Sequence, residues 1–143
     1  MAETTLAVGK CLCGKVGVEA SAASYHVGAC HCTMCRQWGG GPWLAVDCGT
    51  DVSFSGEDNI SVYNSSMWAE RGFCKHCGSH IFYRLKESNQ HILSAGLFGN
   101  PEGWTFSHQI FIDEKADYYD FANDTRNLTG AEVFAKYAPP DIS

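Results

Sequence analysis

Eight cysteines stand among the 143 residues, and seven of them fall into three short runs with the spacing of metal ligands. Cys11 and Cys13 lie in CLCG, Cys74 and Cys77 in CKHCG, and Cys30, Cys32 and Cys35 in GACHCTMCRQWGGG. The first two runs each end in a glycine, Gly14 or Gly78, that permits a tight turn behind a ligand. Tetrahedral zinc with Zn–S bonds of about 2.3 Å needs its sulfurs within about 4 Å of one another. Close pairs on turns supply part of that geometry, and the fold supplies the rest. Cys11, Cys13, Cys74 and Cys77 therefore read as a closed structural zinc site, one that adds folding energy and leaves no position for substrate. The competing readings are buried free thiols in a β core and a redox pair at CKHC. The redox pair wants a thioredoxin-like βαβ context that the sequence lacks.

The third run gives three thiolates on the spacing CxCxxC. Alternation along an extended strand turns Cys30 and Cys32 one way and His31 the other, and a following turn or short helix brings Cys35 back beneath them. Three protein ligands with an open fourth position is the arrangement of catalytic zinc. A substrate sulfur suits that position, because zinc is thiophilic and lowers a thiol pKa from about 8.5. The alternatives are a second structural zinc completed by Cys48 or a histidine, and three free thiols. Cys48, in AVDCG, reads as a small buried residue.

Around this run stand possible helpers. His80 and His108 are candidate proton donors, each weighed against a packed or surface histidine. Gly39, Gly40 and Gly41 before Pro42 form either a ligand-approach loop or a flexible turn. Trp38 and Trp43 flank that loop as pocket walls or as core. Arg36 could meet thiolate charge or a substrate carboxylate, against plain solvent exposure.

The elements that must hold these residues are mostly strands. Alternating runs predict Val16 to Ala20, Tyr25 to Ala29, Trp43 to Val46, Val52 to Phe54, Ile60 to Tyr63, Ile81 to Leu85, Ile92 to Leu97 and Phe106 to Ile112. Ala131 to Tyr137 and Thr33 to Trp38 read as helices, and Pro139 to Ser143 as a fraying tail. The length predicts a single mainly β domain over residues 1–143, with its core from about 6 to 138.

Composition bounds the function. Apolar residues make up 45% and charged residues 18%, with no long apolar run, so a membrane span is not expected. The first ten residues lack the basic start and apolar stretch of a secretory signal, which makes the cytoplasm the expected compartment. In a reducing compartment, dense cysteines point to metal or catalysis rather than disulfides. The formal charge of −6 and the absence of a lysine or arginine cluster argue against nucleic acid as a partner.

The blocks GKCLCGKVGVE, GACHCTMCRQWGGGPW and RGFCKHCGSHIF, followed by HQIFIDEKADYYDF, together resemble the glutathione-dependent formaldehyde-activating enzyme family, whose domain is shared with centromere protein V. The resemblance implies an Mss4-like, zinc-stapled β fold and two zinc ions per chain. One would sit on Cys11, Cys13, Cys74 and Cys77, and the second on Cys30, Cys32 and Cys35, which would carry the chemistry. It further implies carbon–sulfur lyase chemistry of the S-(hydroxymethyl)glutathione synthase type, with a glutathione-like thiol and an aldehyde as substrates. Two rivals stay open: a zinc-stapled binding module without catalysis, and the same chemistry on another thiol adduct.

Overall fold

Extended backbone dominates because short β-branched and aromatic runs alternate with glycine-containing turns, a pattern that cannot sustain long helices. In the computed structural model, which describes residues 3–137, this yields a mainly β fold with eleven strands and two α-helices among the described residues. The strands are β1 (Thr4–Lys10), β2 (Gly17–Ser24), β3 (His26–Cys30), β4 (Trp43–Asp47), β5 (Val52–Ser55), β6 (Ile60–Tyr63), β7 (Ala69–Cys74), β8 (His80–Leu85), β9 (His91–Ser94), β10 (Thr105–Ile110) and β11 (Arg126–Leu128). The helices are α1 (Thr33–Gly39) and α2 (Gly130–Tyr137), where the sequence placed them. The expected fraying tail, Pro139 to Ser143, lies outside the described residues.

The contacts divide the chain into two compact units. The first comprises residues 1–27 and 45–105. In it β1, β2 and β5 form an antiparallel sheet, and β9, β8, β7 and β6 follow one another, antiparallel, from the 45–47 end of β4. Val16, Val18, Val46, Ile81, Phe82, Leu93 and Phe98 fill its core, together with Cys11, Cys48 and Cys74. Cys11 and Cys74 are thus rooted among packed apolar side chains, with Cys77 packed against them.

The second unit comprises residues 28–44 and 106–143. Here β10 lies between the end of β3 and the parallel strand β11, and α1 follows β3 after a single residue pair. Helix α2 is capped reciprocally: the Glu132 N–H donates to the Thr129 hydroxyl at 3.2 Å, and the Thr129 N–H donates to the Glu132 carboxylate at 2.8 Å. No helix among the described residues is long and apolar enough to cross a membrane.

Candidate metal centres

The first cysteine group is built by two turns of like design in the first unit. After β1, the Cys11 N–H donates to Val16 O at 2.9 Å and the Gly14 N–H to Cys11 O at 3.1 Å. After β7, the Cys74 N–H donates to Ser79 O at 2.9 Å and the Gly78 N–H to Cys74 O at 2.8 Å. Gly14 and Gly78 take φ of 80° and 78°, the left-handed region that only glycine enters without cost. Each turn thus presents two sulfurs on one side.

The turns bring all four sulfurs within 4.8 Å of one another. Cys11 Sγ and Cys13 Sγ are 3.7 Å apart, as are Cys13 Sγ and Cys74 Sγ. A tetrahedron with metal–sulfur bonds of about 2.3 Å has edges of about 3.8 Å, so these separations fit zinc. Ser79 ties the turns together: its hydroxyl oxygen accepts the Leu12 N–H at 3.0 Å and lies 3.2 Å from Cys77 Sγ. Hydrogen bonds from the Ser79 hydroxyl and backbone, then from the Cys13 backbone, hold the Cys77 thiol down at about 5. A thiolate already favoured at neutral pH is the form a metal binds.

The second group arises in the second unit from one unbroken passage of chain. Cys30 ends β3, Cys32 is the N-cap of α1, and Cys35 is buried in its first turn. The Cys32 sulfur accepts the Cys35 N–H at 3.3 Å, so the capping bond itself draws two of the three residues together. The three sulfurs lie within 4.8 Å of one another, and among the described residues no fourth histidine, cysteine or carboxylate joins them. The neighbouring Cys32 and Cys35 thiols, and then burial, push the Cys30 thiol far up. Three crowded thiols cannot all ionise without a cation to offset their charge, so the donor set fits a metal.

His31 turns away from the sulfurs, as alternation requires. It is fully buried, with Nε2 2.8 Å from Gln109 Oε1 and Nδ1 2.9 Å from the Tyr119 hydroxyl. Gln109 Nε2 donates to Thr125 Oγ1 at 2.9 Å, which leaves its Oε1 to accept from His31 Nε2–H, and the Tyr119 hydroxyl then donates to Nδ1. Burial lowers the His31 pKa and keeps the ring neutral. Beside Gln109 a cavity of about 280 Å³ opens, lined in part by Lys115, Asp120, Phe121 and Thr125.

Glu114 anchors the start of α1, its carboxylate accepting both the N–H and the hydroxyl of Thr33 at 2.9 Å. Arg36 donates from Nη1 to the Glu114 carbonyl at 2.8 Å, so its role in the structure is to fasten the helix. Gly40 is the left-handed C-cap of α1, its N–H bonded to Arg36 O at 2.7 Å, and the glycine run serves as a helix stop. Across it Trp38 and Trp43 pack edge to face with centroids 5.4 Å apart, and Trp43 is buried. Sequence reasoning missed Gln109, Glu114 and Tyr119. All three lie in the HQIFIDEKADYYDF block, whose polar residues recur among aromatic ones and were the available signal.

The remaining candidates separate. Cys48 is fully buried in the first unit, its thiol 3.7 Å from Val46 O, and burial pushes it up to about 12. It belongs to neither group. His80 opens β8 in that unit, its pKa lowered by burial and then by Arg71. His108 lies in β10 of the second unit, half-buried, with Nδ1 2.8 Å from the Ser107 hydroxyl.

Residues 6–114 match the family model described as glutathione-dependent formaldehyde-activating enzyme. An uncharacterized lyase of Schizosaccharomyces pombe is 39% identical over 126 residues, covering 87% of this chain and 92% of that one. A crystal structure of a Rhodobacter sphaeroides protein superposes with a TM-score of 0.56 at 22% identity, over 66% of this chain and 89% of that one. That likeness is one of fold.

Proposed function

Since this chain belongs to the glutathione-dependent formaldehyde-activating enzyme family, we propose that it is a zinc-dependent lyase that forms or cleaves a carbon–sulfur bond between a glutathione-like thiol and a small aldehyde. The observation that carries the reading is the group Cys30, Cys32 and Cys35: three sulfurs within 4.8 Å and no fourth protein ligand among the described residues. We assign a structural zinc to Cys11, Cys13, Cys74 and Cys77 and a second zinc to the three-sulfur group. When bound there, zinc would supply a Lewis acid that keeps a substrate thiol ionised at neutral pH.

The chain's own residues do the rest. The Cys32 cap and the Glu114 anchor at Thr33 hold the three sulfurs on one strand-to-helix corner. His31, bonded on both ring nitrogens, ties the chain between Cys30 and Cys32 to Gln109 and Tyr119 from its other face. Such orientation matters because thiols add to formaldehyde unaided, and an enzyme gains only by raising the thiolate fraction and aligning the partners.

The test loads the protein with two zinc equivalents and follows exchange between glutathione, formaldehyde and S-(hydroxymethyl)glutathione by NMR. Acceleration over buffer is expected; none would remove this substrate pair. Metal analysis with a thiol count provides an independent check. About two zinc per chain, with one thiol, Cys48, reacting only on unfolding, supports the assignment, whereas one zinc with three further reactive thiols beside Cys48 leaves the structural site alone.

A further inference from the structure

The strand that delivers Cys30 carries glycine two residues earlier, and the reason is a histidine. A β-carbon at Gly28 would stand 2.2 Å from His108 Nε2 and 2.7 Å from the ring carbons beside it. No side chain can occupy that space while the imidazole is there, so Gly28 exists as the seat of the His108 ring.

Alternation fixes which face this is, twice over. On β3, Gly28 and Cys30 point one way and Ala29 the other, with His31 following Ala29. On β10, His108 and Gln109 point opposite ways. His31 and Gln109 meet at 2.8 Å on one face, so Gly28, Cys30 and His108 share the other. Two residues of extended chain span about 6.6 Å, so the imidazole stands one pleat from the Cys30 sulfur's root on the side where the three sulfurs gather. The Ser107 hydroxyl holds Nδ1 at 2.8 Å, which orients the ring with Nε2 toward β3.

Resting on the reaction proposed above, we infer that His108 is its acid–base group. As the thiolate sulfur bonds to the carbonyl carbon, the carbon–oxygen π pair moves onto oxygen, and His108, as the imidazolium, gives that oxygen the proton on Nε2 and becomes neutral. The neutral imidazole then takes the proton released when the next thiol ionises. The net change is thiol plus aldehyde to hydroxymethyl thioether, and the cleavage direction runs the same transfers backwards. The oxygen lies only two bonds from sulfur, so a thiol held by the cysteine group delivers it to the face His108 occupies.

The experiment uses the zinc-loaded full chain. His108→Gln is expected to lower kcat for glutathione and formaldehyde about 100-fold, the low end for loss of a general acid or base, with KM for glutathione within threefold and two zinc retained. Gly28→Ala, which evicts the ring while leaving His108 in the chain, is expected to give the same loss. Free imidazole is expected to restore at least tenfold to His108→Ala. A readout apart from turnover is the His108 Nε2 signal in ¹⁵N-histidine-labelled protein, which should shift with glutathione plus formaldehyde and not with S-methylglutathione. Wild-type rates in both His108→Gln and Gly28→Ala, with a silent Nε2 signal, overturn the role of His108 alone. A wild type that does not accelerate the exchange overturns the reaction and this role together.

Discussion

The chain gathers four sulfurs by joining two turns sixty-one residues apart, and gathers three within six consecutive residues. In the first unit the group depends on long-range closure, since neither turn alone can complete a tetrahedron. In the second unit a strand end, a cap and one helical turn suffice. Closing a loop of some sixty residues costs chain entropy that a metal bound across it offsets, so occupancy and folding are coupled there. A group assembled locally gives the metal little loop to close. Under the proposed function, its contribution is expected in chemistry more than in stability.

The sharpest way to break that comparison is to remove one ligand from each group. Cys13→Ser opens the first site, where structural zinc commonly contributes about 10–16 kcal/mol in apparent terms. That rivals the whole stability of a domain, about 5–15 kcal/mol. The variant is expected to lose its near-UV dichroism and cooperative thermal transition. A variant that melts like the parent would strip the first group of its structural role.

Cys32→Ser is the matched change in the second group, and serine makes it a clean one. A serine hydroxyl can still accept the Cys35 N–H as N-cap, so α1 should keep its start while a sulfur ligand disappears. Stability is expected to change by less than about 1 kcal/mol, with one zinc lost per chain and catalysis of glutathione–formaldehyde exchange reduced at least 100-fold. Cys32→Ala removes cap and ligand together and should cost about 1 kcal/mol more. Unfolding of Cys32→Ser would show that the second group is a staple as well.

The same contrast explains what the sequence reveals. Both cysteine groups are legible because their turns and spacings are local, and the two helices and most strands follow from periodicity. Strand β1 escapes notice because Leu6 and Val8 are about 60% exposed, so its apolar alternation marks the solvent face. Strand β7 escapes because it buries Arg71 and Gly72 in place of the aliphatic residues that announce a strand. The expected strand Ile92 to Leu97 stops at Ser94 because Ala95–Phe98 turns into a 3₁₀ helix. The partners of His31 and Thr33 lie 78 to 88 residues away, beyond any local pattern.

Ser79 sharpens the comparison at smaller scale. Its hydroxyl is hydrogen-bonded to both turns of the first group, through Leu12 N–H and Cys77 Sγ. Ser79→Ala should weaken zinc at that group by about 10- to 100-fold, the usual effect of deleting an outer-shell partner. The second group, whose outer contacts come from Glu114 and His31, should keep its affinity. Chelator competition on the protein resolves the two sites, and equal weakening of both would sink the assignment of Ser79 to one of them.

Tyr119→Phe is the mildest change and asks whether the second group is braced from behind. The Tyr119 hydroxyl donates to His31 Nδ1, and its removal leaves a fully buried acceptor without its donor. A lost bond of this kind costs about 1–3 kcal/mol, so the urea midpoint should fall by that equivalent while the ring of Phe keeps its packing against Phe121. Because His31 keeps Gln109 and its backbone keeps the bond to Ile110 O, both zinc ions should stay bound. If the second zinc is instead released at unchanged stability, the brace acts on the metal group itself, and the local assembly of that group depends on residues almost ninety positions away.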